Sequence, residues 1–205
     1  MKILFNTYPT AFNTPGGGEQ QLLDYKKYLE YNNIKVKLFS QWEKLSNDYN
    51  ILHFFSTMPG SLITLDYIKK ELNIPIIISQ NFWVDVPGWK ESGVYDEIKT
   101  IIWLSDKIIV NSYIEEEYLV RNMHVDSLFI EVVHNMYNSQ FLEKIDEKFF
   151  RDKYNIKDKY ILNVANIEPR KNQLAFFQKQ DLLSLLLYHI APLELKSLII
   201  LINYF

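Results

Sequence analysis

Two adjacent cations, Arg170 and Lys171, follow the apolar run Ile161-Leu-Asn-Val-Ala-Asn-Ile167 and stand just before a helix-like segment. A strand that delivers a cation to a helix N-terminus builds a phosphate site, because the unpaired first-turn N–H groups add to the positive charge. A second candidate lies near the start of the chain, in Gly16-Gly-Gly-Glu19. Gly17 and Gly18 let backbone N–H groups come close to a bound anion at the positive end of a helix. The bland alternative for this run is a flexible turn that starts a helix. It is not the dinucleotide fingerprint: Gly16 and Gly18 supply G-x-G, but Gln21 takes the third glycine position.

Other residue types suit sugar recognition. Trp83 and Asp85 sit in the aromatic loop Phe82-Trp-Val-Asp-Val-Pro-Gly-Trp89, and aromatic faces beside a carboxylate can stack on a sugar and bind its hydroxyls. Trp83 and Trp89 can equally serve to pack that loop down. His53, inside Ile51-Leu-His-Phe-Phe55, either reaches a cleft or is a hydrogen-bonded core or rim histidine. His124, His134 and His189 have no metal-ligand spacing, so no metal is expected. Glu115-Glu-Glu117 reads as a solvated helix face.

The elements that must position these residues alternate. Strands are expected at Lys2–Thr7, Lys35–Phe39, Ile51–Phe55, Ile74–Ser79, Lys107–Val110, Phe129–Val133 and Tyr160–Val164. Helices are expected at Gly18–Asn32, Ser61–Leu72, Val94–Ser105 and Ser112–Arg121. Strands such as Ile74–Ser79 are apolar on both faces, the mark of a parallel sheet covered by helices on each side. The alternation predicts an α/β fold, a Rossmann-like doubly wound parallel sheet. Its ligands belong at the carboxyl ends of the strands, in the loops after Thr7, Phe55, Ser79 and Val110.

Composition narrows the function classes. The 205-residue chain is 48% hydrophobic and 23% charged, which is ordinary for a protein with a packed core. A net charge of −3 gives no sign of a nucleic-acid partner. The absence of cysteine removes disulfides, thiolate catalysis and zinc–cysteine sites. The apolar run at Met1 is too short for a signal peptide, so a cytoplasmic protein is expected.

Gly16-Gly-Gly-Glu19, Glu131-Val-Val-His-Asn135 and Asn163-Val-Ala-Asn-Ile-Glu-Pro-Arg-Lys-Asn172 occur in this order. In combination they resemble the retaining glycosyltransferases of family 4, which have the two-domain GT-B fold; the likeness covers roughly residues 1–178. It implies transfer of a sugar from a nucleoside-diphosphate sugar to a carbohydrate or lipid-linked acceptor, as in polysaccharide biosynthesis. It also implies no cofactor beyond the donor itself and, as a possible further partner, a membrane surface. Lys171 falls on the lysine that contacts the donor diphosphate, with Arg170 beside it, and Gly17 and Gly18 on the loop facing the diphosphate. Asn81 stands where the family often has histidine, Ala165-Asn166 where it has an arginine, and Asn135-Met-Tyr-Asn138 where it has an N-G-V-D turn. The glutamate pair that grips the donor has no counterpart before Phe205.

The expected organisation is an acceptor-side domain over 1–140, a charge-rich connector with a short helix over 141–159, and the start of a donor domain over 160–205. Residues 181–205 are Leu-rich, with Asp181, Glu194 and Lys196 as their charged residues. They read as an ordinary helix followed by a strand at Ser197–Asn203, as a membrane span, or, the favoured reading, as an exposed apolar tail left by a shifted reading frame. Pro192, Glu194 and Lys196 divide the tail into pieces shorter than the ~20 apolar residues a span needs. On this view the second domain is incomplete and the chain is weak or inactive as a transferase. Two alternatives stand beside it. One is a non-catalytic glycan-binding or partner-docking module derived from a glycosyltransferase. The other is a dinucleotide-dependent oxidoreductase, disfavoured by Gln21 and by Phe39-Ser40 where an acidic residue should end the second strand.

Overall fold

The computed structural model describes residues 1–13, 15–58, 60–80, 93–137, 142–144, 146–157, 159–166, 185–188 and 197–204. The chain divides into two compact units, Met1–Asn138 and Ser139–Phe205.

The first unit is a six-stranded sheet in which every pairing is parallel. Its strands are β1 (Lys2–Thr7), β2 (Lys35–Leu38), β3 (Ile51–Phe55), β4 (Ile76–Ser79), β5 (Lys107–Val110) and β6 (Ile130–Val132). Helices α1 (Gly17–Tyr31), α2 (Leu62–Leu72), α3 (Val94–Trp103) and α4 (Tyr113–Met123) make the crossovers. The spatial order is β2-β1-β3-β4-β5-β6. From β1 the chain runs through α1 outward to β2; from β3 it runs through α2 the other way, to β4. The winding direction therefore reverses between β1 and β3, which opens a crevice at their carboxyl ends. This is an α/β, Rossmann-like, doubly wound sheet.

Period-two alternation decides what each face buries. Leu4, Leu52, Phe54, Ile76 and Ile78 pack against Leu65 and Ile68 of α2 and Ile101 of α3. Ile3, Phe5 and Phe55 turn the other way, onto Leu22, Tyr25 and Leu29 of α1. A third cluster joins Ile108 and Val110 of β5 to Ile98 and Ile102 of α3 and to Leu119 and Met123 of α4. Each such side chain, fully buried, contributes roughly 1.5–3 kcal/mol. On the outermost strand, Lys35 and Lys37 are exposed, and charge there discourages further strand pairing.

Element ends differ from expectation for local reasons. β4 starts at Ile76 rather than Ile74, because Asn73 closes α2 in a left-handed conformation (φ 48°) and Pro75 has no N–H to pair. The Ile76 N–H is taken by Asp106 Oδ2 at 2.8 Å. β6 starts at Ile130 because Ser127–Phe129 forms a 3₁₀ turn, its first free N–H held by the Asp126 carboxylate.

The second unit contains α5 (Glu147–Tyr154) and a three-stranded antiparallel sheet of β7 (Lys159–Asn166), β8 (Leu185–Tyr188) and β9 (Ser197–Tyr204), in the order β7-β9-β8. Asp146 caps α5, its carboxylate accepting from the Lys148 N–H. β9 pairs with β7 from Lys159↔Tyr204 to Asn166↔Ser197. The strand expected at Ser197–Asn203 is present as β9, while Leu185–Tyr188, within the Leu-rich stretch read as a helix ahead of it, is strand β8.

Candidate functional site

β1, β3, β4 and β5 end at Thr7, Phe55, Ser79 and Val110, so the loops expected to carry chemistry share one end of the sheet. After β1 the chain makes a 3₁₀ turn (Ala11–Asn13) and reaches Gly16, extended at φ −136°, ψ −155°. Glu19, in the first turn of α1, reaches back to this loop. Its Oε2 accepts from the Gly16 N–H at 2.6 Å and its Oε1 from the Tyr8 hydroxyl at 2.8 Å. A carboxylate is stable at the positive end of a helix, and here both its oxygens staple the loop. Burial, then the hydrogen bond and the charge of Glu19, push the Tyr8 phenol up to about 12.

The intrahelical ladder of α1 begins with Gln20 N donating to Gly16 O. The N–H groups of Gly17 and Gly18 precede that rung and have no acceptor inside the helix. Gly17 is exposed, and a Cβ added there would meet nothing within 4 Å. Packing therefore does not require glycine at 17; close approach of a ligand would.

One turn into α1, Gln21 reaches over the ends of β5 and β6. Its Nε2 donates to Asn111 Oδ1 at 3.0 Å and to Asn135 Oδ1. Asn111 is held in turn: its N–H donates to Glu115 Oε2 at 2.6 Å, its Nδ2 to the Gln80 carbonyl at 3.4 Å. His134 Nδ1 lies 3.0 Å from the Asn111 carbonyl oxygen, and the His134 ring meets Tyr113 edge-on, centroids 6.0 Å apart. Burial pushes the Glu115 carboxyl up, partly offset by its bonds from Asn111. Two motifs far apart in sequence, the glycine helix start and the Val-Val-His-Asn turn, thus meet at one polar cluster.

Polar groups are also buried near the ends of β1 and β3. Asn6 Nδ2, Thr57 Oγ1 and Ser61 Oγ are buried and lack partners among the described residues. Ser56, just past β3, holds a left-handed φ of 80° while its N–H donates to the Ser79 carbonyl at 2.8 Å.

His53 is a core residue. It is 6% exposed, stacked on Phe55, edge-on to Phe5 and Tyr25, and 2.7 Å from Ser79 Oγ through Nε2. Burial lowers its pKa to about 3, so the ring is neutral at physiological pH and presents no face to a ligand. Asn81, Trp83, Asp85, Arg170 and Lys171 lie outside the described residues. Among the described residues no group of three or more His, Asp or Glu is placed to hold a metal ion, and no helix is long and apolar enough to cross a membrane. A cavity of about 300 Å³, lined by Trp103, His124, Asp126 and Phe129, sits at the amino end of β5, away from the strand ends where the polar cluster lies.

Sequence reasoning missed Tyr8, Gln21 and Asn111. Glu19, three residues after Gly16, carried a readable capping pattern. Gln21 registered only as the residue that breaks the dinucleotide fingerprint.

No family model and no curated protein sequence matches this chain. Solved structures do. Anabaena HepE in complex with UDP superposes with a TM-score of 0.60 at 14% identity, over 87% of this chain and 57% of that one. The complex with UDP and glucose gives 0.62 at 14% identity and the same coverage. The complex with UDP-glucose gives 0.52 at 15% identity, over 76% and 50%. These neighbours share the fold. Chain coverage is a little over half of HepE's length.

Proposed function

We propose that this chain carries the glycine-bearing half of a nucleotide-sugar site and belongs to a GT-B glycosyltransferase that transfers the sugar with retention. One observation carries the reading: Gln21 ties the Gly17-Gly18 helix start to the Val-Val-His-Asn turn at the strand ends, in a fold whose solved neighbours hold UDP or UDP-glucose.

The chemistry follows from what those groups offer. As an acceptor hydroxyl attacks the anomeric carbon, the bond from that carbon to the diphosphate oxygen breaks and negative charge grows on the leaving phosphate. The first-turn N–H groups of Gly17 and Gly18 are donors suited to such charge. The acceptor's proton passes to a departing phosphate oxygen, so no strong protein base is required. The acceptor is a carbohydrate or a lipid-linked glycan, as in the assembly of a surface polysaccharide.

Calorimetric titration of the purified chain with UDP and UDP-glucose tests this. Saturable binding in the range of about 1 μM–1 mM is expected. Lack of binding by either nucleotide sinks the proposal.

A further inference from the structure

We infer that the cavity at the amino end of β5 binds a small quaternary-ammonium ligand, with an apolar skin around a single positive charge. The cavity lies at the other end of the strands from the glycine helix start, so it stands or falls independently of the transfer reading.

Its volume of about 300 Å³ falls at the small end of the range for ligand pockets. Trp103, 70% exposed, and Phe129, 51% exposed, bring to it aromatic surface that the core does not use. Ile108 and Val125 add apolar wall. Its polar lining is Ser105, His124 and Asp126, with no lysine or arginine among the described residues. The Ser105 hydroxyl donates to the Ile102 carbonyl at 2.6 Å. Among the described residues no hydrogen bond joins it to His124 or Asp126, so the three do not make a nucleophile-and-base relay.

The surroundings favour positive charge. Asp126 supplies a carboxylate, of which Oδ1 accepts from the Leu128 N–H at 2.9 Å. Helices α3 and α4 both end beside the cavity, at Trp103 and Met123, and a helix C-terminus carries partial negative charge. The last turn of α3 has no basic side chain, and Arg121, in the last turn of α4, is paired with Glu117 at 2.6 Å. The Trp103 ring already attracts a cation: Lys99 Nζ rests 5.7 Å from its centroid. Two further lysines bonded nearby, Lys69 and Lys107, donate to the carbonyls of Leu104 and Leu128.

Hydration selects the kind of cation. A primary ammonium carries three N–H donors, and each needs an acceptor once water is removed. One carboxylate and one hydroxyl are too few. A quaternary ammonium has no N–H to satisfy. Its methyl groups pack on Trp103, Phe129 and Val125, while its charge is balanced by Asp126 and by the face of the indole.

NMR of the isotope-labelled chain tests this, with choline as the probe and the ionic strength held constant. The Trp103 indole N–H, identified by its loss in Trp103→Phe, should shift and saturate with a Kd on the order of 1–10 mM. Neohexanol, the uncharged carbon analogue of choline, should bind at least about tenfold more weakly. Trp103→Ala alters an exposed side chain, and Asp126→Asn keeps a capping oxygen for the 3₁₀ turn while removing the charge. Each should weaken choline binding about fivefold, followed at the Val125 amide, while thermal melts show the fold intact. Absence of a saturable shift up to about 50 mM choline overturns the site. Equal affinity for neohexanol overturns it as well, and so does choline binding that neither substitution weakens.

Discussion

Gln21 and Asn135, 114 residues apart, are joined by a side-chain hydrogen bond in which Gln21 Nε2 donates to Asn135 Oδ1. That bond carries the start of α1 to the end of β6, passing over β5, where Gln21 also holds Asn111. The glycine loop and the last strand of the sheet therefore share one anchor. Gln21→Ala should cost about 1 kcal/mol of stability. A double-mutant cycle with Asn135→Ala, read by urea unfolding, should show coupling of roughly 0.5 kcal/mol or more; strict additivity would dissolve the link.

Gly17 separates binding from folding. Open space around it means that Gly17→Ala keeps the fold, and alanine's better helix propensity raises stability by up to about 1 kcal/mol. Gly17→Leu should fold equally well but place a side chain where a diphosphate must approach, weakening UDP binding at least about tenfold. Retained affinity in Gly17→Leu would show that the ligand does not come near this backbone.

His53 should dominate one limb of the stability–pH curve. Its folded pKa of about 3 lies below the ordinary 6.5, so the unfolded chain takes up a proton that the native core refuses. Stability is complete above pH 6.5 and falls as the pH drops toward 3, by up to about 1.4 kcal/mol per unit. His53→Gln keeps a donor and acceptor for Ser79 and should flatten the curve between about pH 6.5 and 5, before carboxylates titrate. Chemical denaturation across that window is the measurement, and an unchanged slope would contradict the burial of this ring.

The Tyr8–Glu19 bond has a spectroscopic signature. Spectrophotometric titration, with Tyr8→Phe as the difference reference, should show the Tyr8 phenol ionising near 12 rather than 10. Because its folded pKa is raised, the stability it contributes is full below pH 10 and is lost as the pH climbs from 10 to 12. Glu19→Gln removes the charge but not the burial, so the pKa should drop yet stay above the ordinary value. A phenol titrating normally in the wild type would mean that the staple is not formed.

How much of this was legible in sequence can be read from particular residues. Lys2–Thr7, Ile51–Phe55 and Lys107–Val110 were placed to the residue, because strands buried on both faces write continuous apolar runs. Ends set by Pro75 and by the capping carboxylate of Asp126 moved by one or two positions, since a single side chain or missing N–H decides them. His53 was left open between cleft and core. Its neighbours Phe5, Tyr25 and Ser79 come from three other elements, and no local pattern predicts that enclosure.

The chain's own order of residues determined the α/β class, the doubly wound sheet and the end of it where the loops gather, because period and polarity act over a few residues at a time. Tertiary structure alone decided that Gln21 meets Asn111 and Asn135, that His53 is shut in, and that Tyr113 and His134 form a corner. Those contacts depend on strand order and on parallel register. Register brings residues more than a hundred positions apart within hydrogen-bond reach, and nothing in the local sequence encodes that distance.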